Sequence, residues 1–404
     1  PTTHRVSISG TEFVRNGELF RLKSVSWFGA ETNTAVPHAL WERNWKSMIA
    51  EIAGMGFNSI RLPFSRQAFS SLSYIPSDQV VMQGNTNNDL IGKTVYEIFD
   101  MIIDECAING LYVILDHHRN NWDAQDGTPI RAGYDQAGWH ALWGQMATRY
   151  GNNPWVIGAD IYNEPVETAW SQWTTWVEAC ANHIHTIAPD WLIFVQGAAP
   201  TNADFFWAGG YLGDVAARPI TLTTPNRVVY SPHEYAHSVY GASWLRLEGQ
   251  TIPANWPLNQ YDKRRAHYSY IYEDEIAPIW VGEFGGRFGY TGTGAAEGTL
   301  NGNYEREWLT TLINHMNGDF NGDGLSDLTR TSKGMSFCYW GYNANSTDVG
   351  GLLTDNWDTQ QAGKLTLLAP LFNFNGVVID QVANTITDSG NQNILDSNNL
   401  PLQS

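Results

Sequence analysis

Eight short apolar runs, each finishing in polar or turn residues, alternate along this chain with longer segments of helical period. The runs span residues 22–28, 57–64, 111–118, 155–164, 191–196, 227–235, 279–284 and 335–340. Helical periodicity marks 41–56, 94–110, 139–150, 170–188, 262–275, 304–316 and 361–372; only the long irregular stretch 197–226 lacks a clear helix. Strand–helix alternation at this count predicts an α/β chain with a parallel sheet closed into a (β/α)8 TIM barrel. An open doubly wound sheet competes, but its G-x-G-x-x-G fingerprint after the first strand is missing. Residues 4–22 alternate apolar and polar around Asn16-Gly17, which predicts an N-terminal hairpin closing the barrel bottom. The barrel takes residues 1–374. The polar stretch 375–404 reads as a packed C-terminal extension or the start of a linker.

Composition supports one large core. About 43% of the 404 residues are hydrophobic and 16% are charged, which suits a barrel of this length folding as a single unit. The formal net charge of −18, from 41 acidic and 23 basic residues, repels phosphate backbones and argues against nucleic acid as a partner. No apolar run approaches the ~20 residues that cross a bilayer. Cys106, Cys180 and Cys338 lie in apolar segments without metal-ligand spacing, so they read as small buried hydrophobes. The chain begins at Pro1, which is compatible with removal of a leader or with trimming. The 18 Trp and 18 Tyr exceed what a core this size needs. Some are expected to line a cleft, since aromatic faces also serve as platforms for sugars.

A parallel barrel places its chemistry at the C-terminal ends of its strands. Polar groups gather there: Arg61 on the second strand, Asp116-His117-His118 on the third and Asn163-Glu164 on the fourth. His233-Glu234-Tyr235 closes the sixth strand, Glu283 the seventh and Trp340 the eighth. Glu164 and Glu283 therefore face each other across the mouth, the arrangement that glycoside hydrolysis requires of two carboxyl groups. A proton stays on the carboxyl that lacks a cationic partner, so an Arg61 beside Glu283 makes Glu164 the acid. Bracing of the barrel by an Arg61 ion pair is the competing role. Alternation along the strand turns His117 and Glu234 away from the pocket, which argues against a metal shared by His117 and His118.

These motifs resemble glycoside hydrolase family 5. The resemblance runs from about residue 20 to 372 and rests on seven ordered motifs: Ser26-Trp27-Phe28-Gly29, Asn58-Ser59-Ile60-Arg61-Leu62-Pro63, Leu115-Asp116-His117-His118-Arg119, Tyr162-Asn163-Glu164-Pro165, Tyr230-Ser231-Pro232-His233-Glu234-Tyr235, Trp280-Val281-Gly282-Glu283-Phe284-Gly285 and Tyr339-Trp340-Gly341. It implies Glu164 as acid/base and Glu283 as nucleophile of a retaining reaction. Asn163 would hold the sugar 2-hydroxyl, Arg61 and Tyr235 would bond Glu283, and His118 and His233 would line the sugar site. Trp340 would stack under the sugar, while Trp27 and Trp207 are candidate sugar platforms or core residues. The substrate implied is a polysaccharide, most closely the β-1,4-glucan of bacterial cellulases, on the strength of Trp27-Phe28-Gly29-Ala30-Glu31-Thr32 and Val349-Gly350-Gly351-Leu352-Leu353. A mannanase or other β-glycanase on the same machinery, or a non-catalytic carbohydrate-binding barrel, stands as the alternative. No catalytic cofactor is implied, and a secreted, monomeric enzyme is expected.

One motif stands apart. Residues 319–327 read D-F-N-G-D-G-L-S-D, the opening of a calcium loop with Asp319, Asn321, Asp323, Leu325 and Asp327 as ligands. Arg330 replaces the Glu that usually ends such a loop, so a structural calcium competes with a solvated acidic turn.

Overall fold

The computed structural model describes residues 5–81, 86–122, 127–198, 207–289, 295–328, 331–374, 376–380 and 385–388. The N-terminal segment forms three antiparallel strands, β1 (Val6–Ser9), β2 (Glu12–Arg15) and β3 (Glu18–Phe20). The expected hairpin is therefore a meander. Its second turn is Asn16-Gly17, both at positive φ as a tight hairpin turn requires. The first turn, at Gly10-Thr11, carried too little turn signal to be anticipated.

The barrel strands are β4 (Lys23–Ser26), β5 (Ser59–Ser65), β6 (Tyr112–Arg119), β7 (Val156–Asp160), β8 (Leu192–Val195), β9 (Val228–Tyr230), β10 (His233–Tyr235), β11 (Trp280–Gly285) and β12 (Ser336–Tyr339). They pair in parallel in the order β10-β11-β12-β4-β5-β6-β7-β8-β9. β9 and β10 are two pieces of the expected sixth strand, parted by Ser231-Pro232. Proline has no N–H for the ladder, so the strand breaks there. Ser231 N–H still reaches Val195 O (2.8 Å) and Gly282 N–H reaches Pro232 O (3.0 Å). Tyr230 also bridges Ile279 in parallel, which closes the ring. Eight barrel staves result, as the alternation predicts.

The helices are α1 (Trp45–Gly54), α2 (Asp78–Val81), α3 (Val95–Ile108), α4 (Gln136–Tyr150), α5 (Trp170–His185), α6 (Asn259–Arg264), α7 (Tyr270–Glu273), α8 (Leu300–Met316) and α9 (Ala362–Asn373), with a π-helical turn (Arg265–Ser269) joining α6 to α7. Local chemistry fixes their starts. Asn44 accepts from Lys46 and Ser47 N–H, so α1 begins four residues later than its apolar pattern implies. Thr94 and Glu97 cap α3 reciprocally. Beyond α9 a two-stranded ribbon, β13 (Val377–Asp380) with β14 (Thr385–Asp388), occupies part of the stretch expected to be extension or linker. Among the described residues no helix is long and apolar enough to cross a membrane.

Side-chain alternation splits the interior into two compartments. Ile60, Leu62, Val113 and Leu115 point outward into the layer between barrel and helices. Tyr112, Ile114, Phe194 and Trp280 point inward and fill the barrel floor with Phe13, Val6 and Leu22. Phe13 of the meander stacks on Phe194 with ring centroids 6.5 Å apart, so the N-terminal strands plug the bottom. Burial of each such aromatic contributes roughly 2–3 kcal/mol, and the polar groups are left to the top. Cys106, Cys180 and Cys338 are buried free thiols.

Candidate active site

The same alternation that fills the floor sends Arg61, Asp116, His118, His233 and Tyr235 into the upper barrel, while Glu283, three residues after the inward Trp280, joins them through a register shift in β11 between Val281 and Phe284. Arg61 is fully buried and shared among three carboxylates. Its Nη1 donates to Glu283 Oε1 (2.5 Å), its Nε to Asp160 Oδ2 (2.9 Å), and its Nη2 pairs with Asp116 Oδ2 (3.0 Å). Nη2 also donates to Asn163 Oδ1 (2.9 Å). Tyr235 Oη donates to the second Glu283 oxygen (2.6 Å). Bracing of the barrel and service to Glu283 are thus one role for Arg61, not two.

Glu164 has different neighbours. Its Oε1 accepts from Trp207 Nε1 (2.6 Å) and lies 2.9 Å from His233 Nδ1, which is also 3.5 Å from Glu283 Oε2. Glu164, His233 and Glu283 each offer an atom within 4.8 Å of the others, so the two carboxyl groups approach that closely. Such a triad is tight enough for a cation, but the Arg61 guanidinium already supplies positive charge at Glu283. Burial and repulsion from Glu283 hold the Glu164 carboxyl well above the ordinary carboxylate range. Burial lifts Glu283 as well, to about 7, against the pull of Arg61 and the Tyr235 hydroxyl. The pair titrates as a unit in which Glu283 ionises first and Glu164 keeps its proton.

The histidines are neutral, because burial and the nearby Arg61 hold both His118 and His233 well below the imidazole range. His118 Nδ1 lies 2.7 Å from Asp116 Oδ2 and Nε2 lies 3.3 Å from Asn163 Nδ2. The amide can only donate, so Nδ1 carries the imidazole proton toward Asp116. Asn163 is held by both ends, and one amide hydrogen is left for a ligand. Trp340, joined to Gly341 by a cis peptide, lies parallel to Phe28 (5.2 Å, 8°) and to His118 (5.3 Å, 14°).

Trp207 lies at the mouth against Glu164, but Trp27 does not belong to the cleft. Ser24 and Ser26 turn into the barrel, so Trp27 turns out; its indole is fully buried and donates to His38 O (2.9 Å). It presents no face to a sugar, and Phe28 is the aromatic that flanks Trp340. His117 points outward between Phe64 and Tyr162, and Glu234 outward onto Arg264, Tyr268 and Trp308. Three site residues escaped the sequence reading. Asp116 stood inside a quoted motif without a role, Asp160 is a lone charge in an apolar run, and Gln196 is the polar end of the fifth strand. A charge inside an apolar strand signals a buried partner, and the strand-end rule reaches Gln196 as well.

One guanidinium cannot neutralise three buried carboxylates, and burial pushes Asp116 and Asp160 up to about 7, as it does Glu31 at the mouth. Each binds its proton more tightly folded than unfolded. Stability from these groups is therefore present below the ordinary carboxylate range and is lost as pH rises toward about 7. Differential scanning calorimetry should show Tm falling by several degrees between about pH 5 and about pH 7.5.

In the acidic loop, Asp319 accepts from Gly322 N–H (2.7 Å) and Gly324 N–H (3.1 Å), and Asp323 from Leu325 N–H (2.8 Å). Asp327 accepts from Phe320 N–H (2.6 Å) and Asn321 Nδ2 (2.9 Å). Burial lifts Asp327 above its usual range, and repulsion from Asp323 and Asp319 adds to this.

Residues 16–346 match the family Cellulase (glycosyl hydrolase family 5). The chain belongs to glycosyl hydrolase family 5. Its relatives include an endoglucanase of Paenibacillus polymyxa, 34% identical over 90% of this chain and 84% of the relative. The major extracellular endoglucanase of Xanthomonas campestris pv. campestris is 32% identical over 88% of this chain and 69% of the relative. Among solved structures, an endocellulase of Pyrococcus horikoshii crystallised with cellotetraose superposes with a TM-score of 0.78 at 28% identity, covering 92% of this family 5 chain and 99% of that one. The barrel expected from the strand count is the barrel of the family 5 cellulases.

Proposed function

We propose that this chain is an endo-β-1,4-glucanase that hydrolyses internal bonds of cellulose or a related β-glucan with retention of configuration. The observation that carries the reading is the approach of Glu164 and Glu283 within 4.8 Å, with Arg61 bonded to Glu283 of the two. Carboxyl groups about 5–5.5 Å apart leave no room for a water between the ionised carboxylate and the anomeric carbon, whereas about 6.5–9.5 Å marks inversion. In the first step a Glu283 oxygen bonds the anomeric carbon while Glu164 gives its proton to the departing glycosidic oxygen. In the second, Glu164, now ionised, takes a proton from water; the water oxygen bonds the anomeric carbon and Glu283 leaves. Asn163 bonds the sugar 2-hydroxyl and Trp340 supports the ring. The relatives' endoglucanase activity supports the substrate class. Proton NMR of cellopentaose hydrolysis should show the β-anomer first; initial release of the α-anomer would refute retention. Viscosity of carboxymethylcellulose should fall well before reducing ends accumulate.

A polymer of this kind is met outside the cell, and the reading extends to a secreted enzyme, checked by its appearance in cell-free medium. We also propose that the 319–327 loop takes one calcium ion. Support comes from its five side-chain and carbonyl oxygens at alternate positions and the mutual repulsion around Asp327. Saturating calcium should raise Tm by about 1–3 °C over the chelated protein; an unchanged Tm removes the site.

A further inference from the structure

We infer that Gln196 is a positioning residue that aims Glu164, an inference that rests on the acid/base role proposed above. Gln196 follows β8 and is fully buried. Its main-chain carbonyl accepts from Trp173 Nε1 (2.9 Å), which anchors it to α5. Its side-chain oxygen accepts the backbone N–H of Glu164 at 2.6 Å, and its amide nitrogen lies 3.0 Å from both Asp160 oxygens. The primary amide suits this place because it accepts on one side and donates on the other without bringing charge at any pH.

Glu164 needs such a hold. Its φ is 47°, in the left-handed region that favours glycine and that a non-glycine residue occupies only under strain. Only the surroundings keep it there, and the Gln196 oxygen is the partner of its N–H. The seat is tight as well. A Cβ on Gly209 would lie 2.9 Å from Gln196 Oε1 and 3.5 Å from Glu164 Cγ. Asp160 passes the connection on, since the oxygen Gln196 touches also accepts from Arg61, and Arg61 holds Glu283. One buried amide thus ties the acid's backbone to the cluster that orients the nucleophile.

Two variants test this. Gln196→Leu keeps the volume and loses both bonds; kcat/KM on carboxymethylcellulose should fall about 10–100-fold. On dinitrophenyl β-cellobioside, whose leaving group departs without a proton, kcat/KM should change less than about threefold. That contrast singles out the acid, because general damage to the site lowers both. In Gln196→Glu the introduced carboxyl imitates the amide only while protonated. Activity on the polymer should stay near the parent's at about pH 5 and drop more than tenfold by about pH 7.5, a limb absent from the parent. This variant also serves if Gln196→Leu fails to fold. Equal losses on both substrates, full activity of Gln196→Leu, or a Gln196→Glu profile of the parent's shape would each overturn the inference. Parent-level polymer hydrolysis by Glu164→Gln would sink the acid role itself. An inactive Glu164→Gln beside a fully active Gln196→Leu sinks only the role of Gln196.

Discussion

Glu283→Gln should lower hydrolysis of carboxymethylcellulose by roughly four orders of magnitude, about 5.5 kcal/mol of barrier, while leaving glucan binding within about threefold. The amide matches the carboxylate in shape and still accepts from Tyr235 on its oxygen, so the fold has little to lose. Its nitrogen meets the Arg61 guanidinium poorly, and it cannot form the glycosyl ester on which retention depends. The loss should therefore appear in kcat, with KM nearly unchanged. Steady-state rates with binding by affinity electrophoresis in a glucan gel check both halves. Undiminished turnover would remove Glu283 from the mechanism.

Arg61→Met should be the most damaging single change to stability. Removing the guanidinium leaves Asp116, Asp160 and Glu283 buried against one another without a counter-charge, and breaking such a cluster costs about 3–5 kcal/mol. Urea unfolding at about pH 7 reads this directly. The deficit should shrink at about pH 5, where the orphaned carboxyl groups take up protons. In the fraction that folds, Glu283 loses the neighbour that favours its ionised form, so the acidic limb of kcat/KM moves to higher pH and the rate falls at least a thousandfold. Arg61→Lys keeps the charge but not the fork that reaches Asp160, Asn163 and Glu283 together, and should fall between the two.

Much of the fold was legible because its rules are local. Apolar runs such as 111–118 end where polar groups begin, so Glu164, Glu283, Arg61, His233 and Tyr235 announced their strand ends without any knowledge of contacts. What stayed hidden depends on register or on partners far along the chain. Trp27 and Phe28 are both aromatic at the end of the first strand, and only the inward turn of Ser24 and Ser26 decides which faces the cleft. Asp160 sits in an apolar run where nothing nearby explains its charge; its partners are 99 residues away at Arg61 and 36 residues away at Gln196. Neither the break at Pro232 nor the turn at Gly10-Thr11 was legible, since a run can hold a proline without breaking: β5 carries Pro63 in register with Asp116.

The sealed floor of the barrel has a kinetic consequence. With Phe13, Phe194 and Trp280 filling the lower interior, the glycosyl-enzyme is reached from one side only. The departing chain and the incoming water share a single doorway, so water arrives after the first product has made room for it. A product that lingers there can take back the sugar it has just lost.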